Sequence, residues 1–207
     1  MNNSKRWDQY WDENPHNRWL EPDQKIVDLT RELKSLHPSM HQVLDLGAGL
    51  GRHTIFFSRQ GYQTHGADTS MDATSHCRQW HEREDLPASL LLSDMTALPY
   101  RDSTFDFVLC YYVIHHGHLN TMASTFREVC RVLAPGGFFY SNFWSSDAAD
   151  KMKGDQIEPG TFVFNEGDEI GIPHHFTSPE ELEAFVDGFE VIRKERDRHW
   201  QLLLRKP

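Results

Sequence analysis

Apolar residues along this chain come in two alternating rhythms. Runs of strand length stand at Gln42 to Leu46, Tyr62 to Ala67, Ser89 to Ser93, Phe105 to Tyr111 and Gly137 to Phe143. Between them, Arg52 to Gln60, Ser70 to Glu84 and Leu119 to Leu133 are amphipathic and long enough for helices. Strands alternating with helices predict a parallel sheet covered on both sides, the α/β class. Gly61 and the Pro135-Gly136-Gly137 triplet mark helix ends, because glycine accepts a left-handed cap and proline cannot continue a helix.

The flanks of this pattern differ from its middle. The N-terminal stretch carries Trp7, Tyr10, Trp11 and Trp19 and then a helical period from about Asp23 to Leu36, ahead of Pro38. Residues 1–37 read as an extension that includes a lid, attached to a core at 38–207, with the whole of 1–207 as one domain. After the fifth strand, 145–176 is polar and contains Gly and Pro. A connection of that length inside a compact domain is expected to be functional, here a substrate lid. Within it "TFVFNEGDEIGI" alternates around Asn165 to Asp168 and suggests a hairpin. Ser178-Pro179-Glu180-Glu181 opens another helix, and the chain closes on two strand-like runs that read as an antiparallel pair at the sheet edge.

Charge narrows the partners. With 31 acidic against 21 basic residues the formal net charge is -10, which disfavours a phosphate backbone as partner. No apolar run approaches the length of a membrane helix, and Met1 to Asp12 lacks the apolar core of a signal peptide, so a cytoplasmic, membrane-free protein is expected. Cys77, Cys110 and Cys130 are odd in number and widely spaced, which suits reduced, packed thiols. Nothing in the sequence indicates an oligomeric state.

The chemistry begins at "VLDLGAGLG", Val43 to Gly51, where Gly47, Gly49 and Gly51 follow a strand and precede a helix. Missing side chains there permit a sharp bend and a close approach of a nucleotide-bearing ligand to the backbone. A dinucleotide fingerprint G-x-G-x-x-G would need a third glycine where Arg52 stands. That counts against a nicotinamide-dependent oxidoreductase, which remains an alternative beside a non-catalytic cofactor-binding module.

At this motif the sequence resembles the class I S-adenosylmethionine-dependent methyltransferases. Three further stretches carry the likeness: "HGADTS" with Asp68, "LLLSDMTALPYRDSTFDFVLC" with Asp94 and Met95, and "FREVCRVLAPGGFFY". The resemblance implies a three-layer Rossmann-like fold whose seven-stranded sheet is mostly parallel, with the last strand antiparallel. It implies S-adenosyl-L-methionine as cofactor, S-adenosyl-L-homocysteine as product and a small-molecule methyl acceptor. Asp68 would take both ribose hydroxyls, a task that suits a two-oxygen acceptor. Asp94 would receive the adenine amino group beside Met95, while Asp45 would face the ammonium end or fix the glycine loop. With Gly47, Gly49, Gly51, Thr69, Cys110 and Tyr10 these make up the expected cofactor site.

Methyl transfer asks mainly for alignment and exclusion of water. Where the acceptor must lose a proton, His116 after the fourth strand and His175 at the end of the lid are the candidate bases, ahead of His115 and His174. Adjacent histidines on one strand point to opposite faces, so no metal site is assigned.

Overall fold

The computed structural model describes residues 3–13, 20–151 and 154–207. Trp19, one of the four aromatic residues of the expected N-terminal lid, lies outside them.

Five parallel strands form one side of a seven-stranded sheet: β1 (Gln42–Leu46), β2 (Gln63–Asp68), β3 (Ser89–Leu92), β4 (Phe105–Tyr111) and β5 (Leu133–Trp144). The C-terminal pair, β9 (Glu190–Arg196) and β10 (His199–Arg205), completes it in the order β3-β2-β1-β4-β5-β10-β9. β10 is antiparallel to both neighbours, so the last strand runs against the rest and β9 forms the edge.

The two faces of the sheet follow from the two-residue side-chain period. Leu44, Leu46, Val108, Cys110 and Phe139 pack in one cluster, with Phe126 and Val129 of α5 (Leu119–Val132) and Leu182 of α6 (Pro179–Phe185). Their strand neighbours Val43, Phe107, Leu109 and Phe138 face the opposite cluster, where Ile26, Leu29 and Leu33 of α2 (Gln24–Leu36) meet Phe57 of α3 (Arg52–Arg59). In α2 the buried residues recur at helical spacing, and Asp23 caps the helix by accepting the Lys25 N–H at 2.9 Å. α4 (Met71–Arg83) is capped by Ser70, and α6 by a reciprocal capping box between Ser178 and Glu181.

The lid segment is more ordered than its polar sequence indicates. After a 3₁₀ turn over Ser146–Lys151, β6 (Gly154–Glu158), β7 (Thr161–Phe164) and β8 (Pro173–His175) form a separate antiparallel sheet. The expected hairpin is the β7–β8 pair. Its return strand starts later than the alternation suggests, at Pro173, because the turn runs on to Gly171 at φ +77°. β6 escapes notice in the sequence because "GDQIE" has one apolar residue in five and is mostly exposed. The N-terminal aromatic stretch is helical, α1 (Asn3–Glu13). Among the described residues no helix is long and apolar enough to cross a membrane.

Candidate functional site

The carboxyl ends of β1, β2 and β4 open onto a cavity of about 290 Å³, with residues of α1 on its wall. Its floor is the bend after β1. Gly47 has φ +75°, and a Cβ there would fall 2.3 Å from a methyl of Val113. Gly49 has φ +54°, and a Cβ there would lie 3.0 Å from the Trp11 ring. Both positions are therefore closed to side chains by conformation and by space. Gly51 lies just outside the cavity as the left-handed N-cap of α3.

Asp68 ties the bend to β2. Its Oδ2 accepts the Gly49 N–H and its Oδ1 the Ser70 N–H, each at 2.8 Å. Burial raises its pKa above the usual carboxylate range, against the opposing pull of these backbone donors. Each oxygen keeps a further lone pair, and the side chain lines the cavity beside Thr69. Across the opening, Asp94 closes a turn by accepting from the Thr96 N–H at 2.8 Å and its hydroxyl at 2.7 Å. Asp94 and Met95 both line the cavity.

Asp45 is 2% exposed and does not line it. Burial lifts its pKa to about 7, against the lowering effect of the Arg52 charge and the Thr54 N–H, and Oδ2 has no hydrogen-bond partner. Arg52 itself does line the cavity, with its guanidinium 5.9 Å from the centre of the Tyr111 ring. Tyr111 is in turn anchored by its hydroxyl to Asp23 at 3.0 Å.

Helix α1 lies over the opening. Asp8 accepts the Ser70 hydroxyl at 2.6 Å, which fastens α1 to the start of α4. Trp7, Tyr10 and Trp11 line the cavity, and Trp7 meets His116 edge-on with ring centres 4.7 Å apart.

The far end holds imidazoles. β4 stops at Tyr111, so His115 and His116 stand in the turns beyond it and not on a strand, and the opposite-faces argument does not apply to them. Their ring centres are 4.2 Å apart and both residues line the cavity. His174 approaches from β8, and Glu169 bridges the group at 2.8 Å from His174 Nε2 and 3.7 Å from His116 Nε2. Burial depresses the pKa values of His115 and His116. Burial pushes the Glu169 pKa up, but His116 and His174 hold it well below its usual value.

Besides Asp45 and Gly51, two more expected residues lie outside the cavity. Cys110 points into the α5-facing core, as the alternation along β4 dictates, and is fully buried. His175 faces away from the cavity, with Nδ1 2.8 Å from the Thr161 hydroxyl and Nε2 3.3 Å from Glu181 Oε2. It braces β8 against α6, which removes the expectation of a base at that position.

Residues 43–137 match the family model described as "Methyltransferase domain". The chain is 31% identical over 101 residues to an uncharacterized methyltransferase, YcgJ, of Bacillus subtilis (strain 168), covering 48% of this chain and 39% of that protein. The fold superimposes on the crystal structure of PH0226 protein from Pyrococcus horikoshii OT3 with a TM-score of 0.78 at 20% identity, covering 96% of this chain and 99% of that one. Residues 43–137 are thus similar to methyltransferase domains, and the fold is one that solved structures share. The glycine bend, Asp68 and Asp94 all fall at the carboxyl edge of the sheet. A third relative, a tRNA (carboxymethyluridine(34)-5-O)-methyltransferase of Arabidopsis thaliana, is 30% identical over 124 residues, covering 57% of this chain and 27% of that protein. The matches thus span well under half the length of these sequence relatives.

Sequence reasoning missed Arg52, Trp144 and Glu169 on the cavity wall. Arg52 entered the sequence argument only as the residue that breaks a dinucleotide motif. Glu169 stands just past the expected turn at Asn165 to Asp168, and only the packing of the lid brings it to the histidines.

Proposed function

We propose that the chain is an S-adenosylmethionine-dependent methyltransferase acting on a small molecule, working as one domain whose α1 and 145–176 segments enclose the reaction. The observation that carries the reading is the junction of the side-chain-free bend at Gly47 and Gly49 with Asp68, a carboxylate already oriented by two backbone donors and with lone pairs to spare. When bound, the cofactor supplies a methyl group on a sulfonium, open to in-line displacement by a nucleophilic acceptor.

Each residue then has a physical task. Asp68 accepts the two ribose hydroxyls, with Thr69 beside it. Asp94 takes the adenine amino group on its second oxygen, and Met95 covers the ring. Arg52 receives the carboxylate of the methionine moiety, while Asp45 balances Arg52 from beneath and holds the bend. Tyr10, Trp7 and Trp11 present aromatic edges and faces that favour a sulfonium over water. At the other end, His116 is neutral and can accept a proton from an O–H, N–H or S–H acceptor.

Two features favour a small acceptor over the tRNA specified in the name of the Arabidopsis relative. The cavity is walled by α1 and the lid, and the net charge of -10 opposes a polyanion. The test is methyl tracing: the enzyme, labelled S-adenosylmethionine and a cell extract split into small-molecule and tRNA fractions. Label in the small-molecule fraction is expected; label in tRNA alone would overturn the acceptor assignment.

A further inference from the structure

We propose that His115, His116 and His174, with Glu169 beside them, bind one divalent transition-metal ion at the acceptor end of the cavity. One ring nitrogen from each histidine lies within 4.8 Å of the others, and the three residues are 2%, 7% and 0% exposed. Tetrahedral coordination at about 2.0–2.1 Å places ligand atoms roughly 3.3 Å apart, so the trio must draw in by about 1.5 Å at most.

The hydrogen bonding suits ligation. His174 Nδ1 lies 2.9 Å from the Ile172 carbonyl oxygen. A carbonyl can only accept, so Nδ1 carries a proton, and Nε2, 2.8 Å from Glu169 Oε2, would exchange that carboxylate contact for the ion. Metal-bound histidines are oriented in this way, with the second nitrogen donating to the backbone. His115 Nδ1 is buried with no hydrogen-bond partner and His116 Nε2 has Glu169 no nearer than 3.7 Å, and a buried polar atom left unpaired calls for an explanation. An ion supplies one. Glu169 brings the negative charge that a dication in a buried pocket requires. Three imidazoles and one carboxylate favour zinc, cobalt, nickel or iron over magnesium or calcium.

The site's use rests on the methyltransferase reading. An acceptor hydroxyl or thiol coordinated there would ionise more readily and be held at a fixed distance from the bend. His116 then serves as a ligand, and the acceptor's proton leaves to water.

The test uses the full chain without a histidine tag, titrated with Co²⁺ and followed by visible absorption. One equivalent should give a saturable band, displaced by Zn²⁺. His116→Ala and His174→Gln should each weaken Co²⁺ binding at least tenfold, whereas His118→Ala, an exposed histidine bonded to Glu158, should not. S-adenosylhomocysteine binding, measured by calorimetry on every variant, reports both folding and the cofactor reading independently of the ion. Absence of a saturable band in the wild type, or a band that survives both cluster substitutions, overturns the proposal. A cobalt band in a wild-type protein that ignores S-adenosylhomocysteine leaves the ion site standing and removes the cofactor reading.

Discussion

Asp45 shows how a single side chain under the glycine bend couples pH to stability. Its pKa rises from 3.8 to about 7 on folding, chiefly through burial. Between those values the folded chain holds a proton that the unfolded chain has lost, so this residue lowers stability as pH rises, and its penalty is complete above about pH 7. At about 1.36 kcal/mol per unit the full effect is on the order of 4 kcal/mol. Asp45→Asn keeps the shape and cannot ionise. Its melting temperature relative to wild type is therefore expected to climb between pH 4 and pH 7 and level off above, as thermal scans across pH would show; a constant difference would contradict the burial argument. Gly47→Ala tests the bend itself. A methyl group 2.3 Å from Val113 at positive φ should cost 1–3 kcal/mol, on the order of known backbone strain, in urea unfolding, and should abolish S-adenosylhomocysteine binding. At this scale the sequence reveals residues at strand ends, such as Asp68 and Asp94, because a strand's length fixes where it stops. Resemblance places Cys110 in the cofactor site, although the two-residue period puts it on the face of Val108 and away from the cavity. The convergence of His116, His174 and Glu169 was not legible, because it depends on a fold-back of 145–176 that no local period encodes.

Among elements, α1 is the one whose removal should separate binding from folding. It buries Tyr10, fastens to α4 through Asp8 and Ser70, and reaches the lid through Arg6 and Gly171. It is held by aromatic contacts and the Asp8 hydrogen bond, and its residues belong to neither of the main clusters on the sheet faces. Trp7→Ala with Asp8→Ala is thus expected to speed S-adenosylhomocysteine dissociation at least tenfold in stopped-flow measurements while leaving the urea midpoint nearly unchanged. A large loss of stability would make α1 part of the core instead. Helix α6 behaves oppositely. Its capping box joins Ser178 and Glu181, and Ser178→Ala should lower stability by about 1 kcal/mol, read from the urea midpoint. The helices and parallel strands were legible because their apolar faces repeat. β6 was not, because its strand is held by backbone pairing to β7 with few buried side chains.

For the whole molecule, strand order follows from connectivity: parallel β-α-β units and a final antiparallel pair leave the carboxyl edge of β1, β2 and β4 as the place where a ligand can lie. The net charge of -10 predicts that tRNA fails to shift this protein in gels at physiological salt. The central claim is that the glycine bend and Asp68 together seat an adenosyl sulfonium. Calorimetry with S-adenosylhomocysteine and, separately, with nicotinamide dinucleotides tests it most directly, on wild type and Asp68→Ala. The account predicts one S-adenosylhomocysteine per chain, no dinucleotide binding, and at least a tenfold loss of affinity in Asp68→Ala. Binding of a dinucleotide alone, or an affinity for S-adenosylhomocysteine indifferent to Asp68, would contradict it.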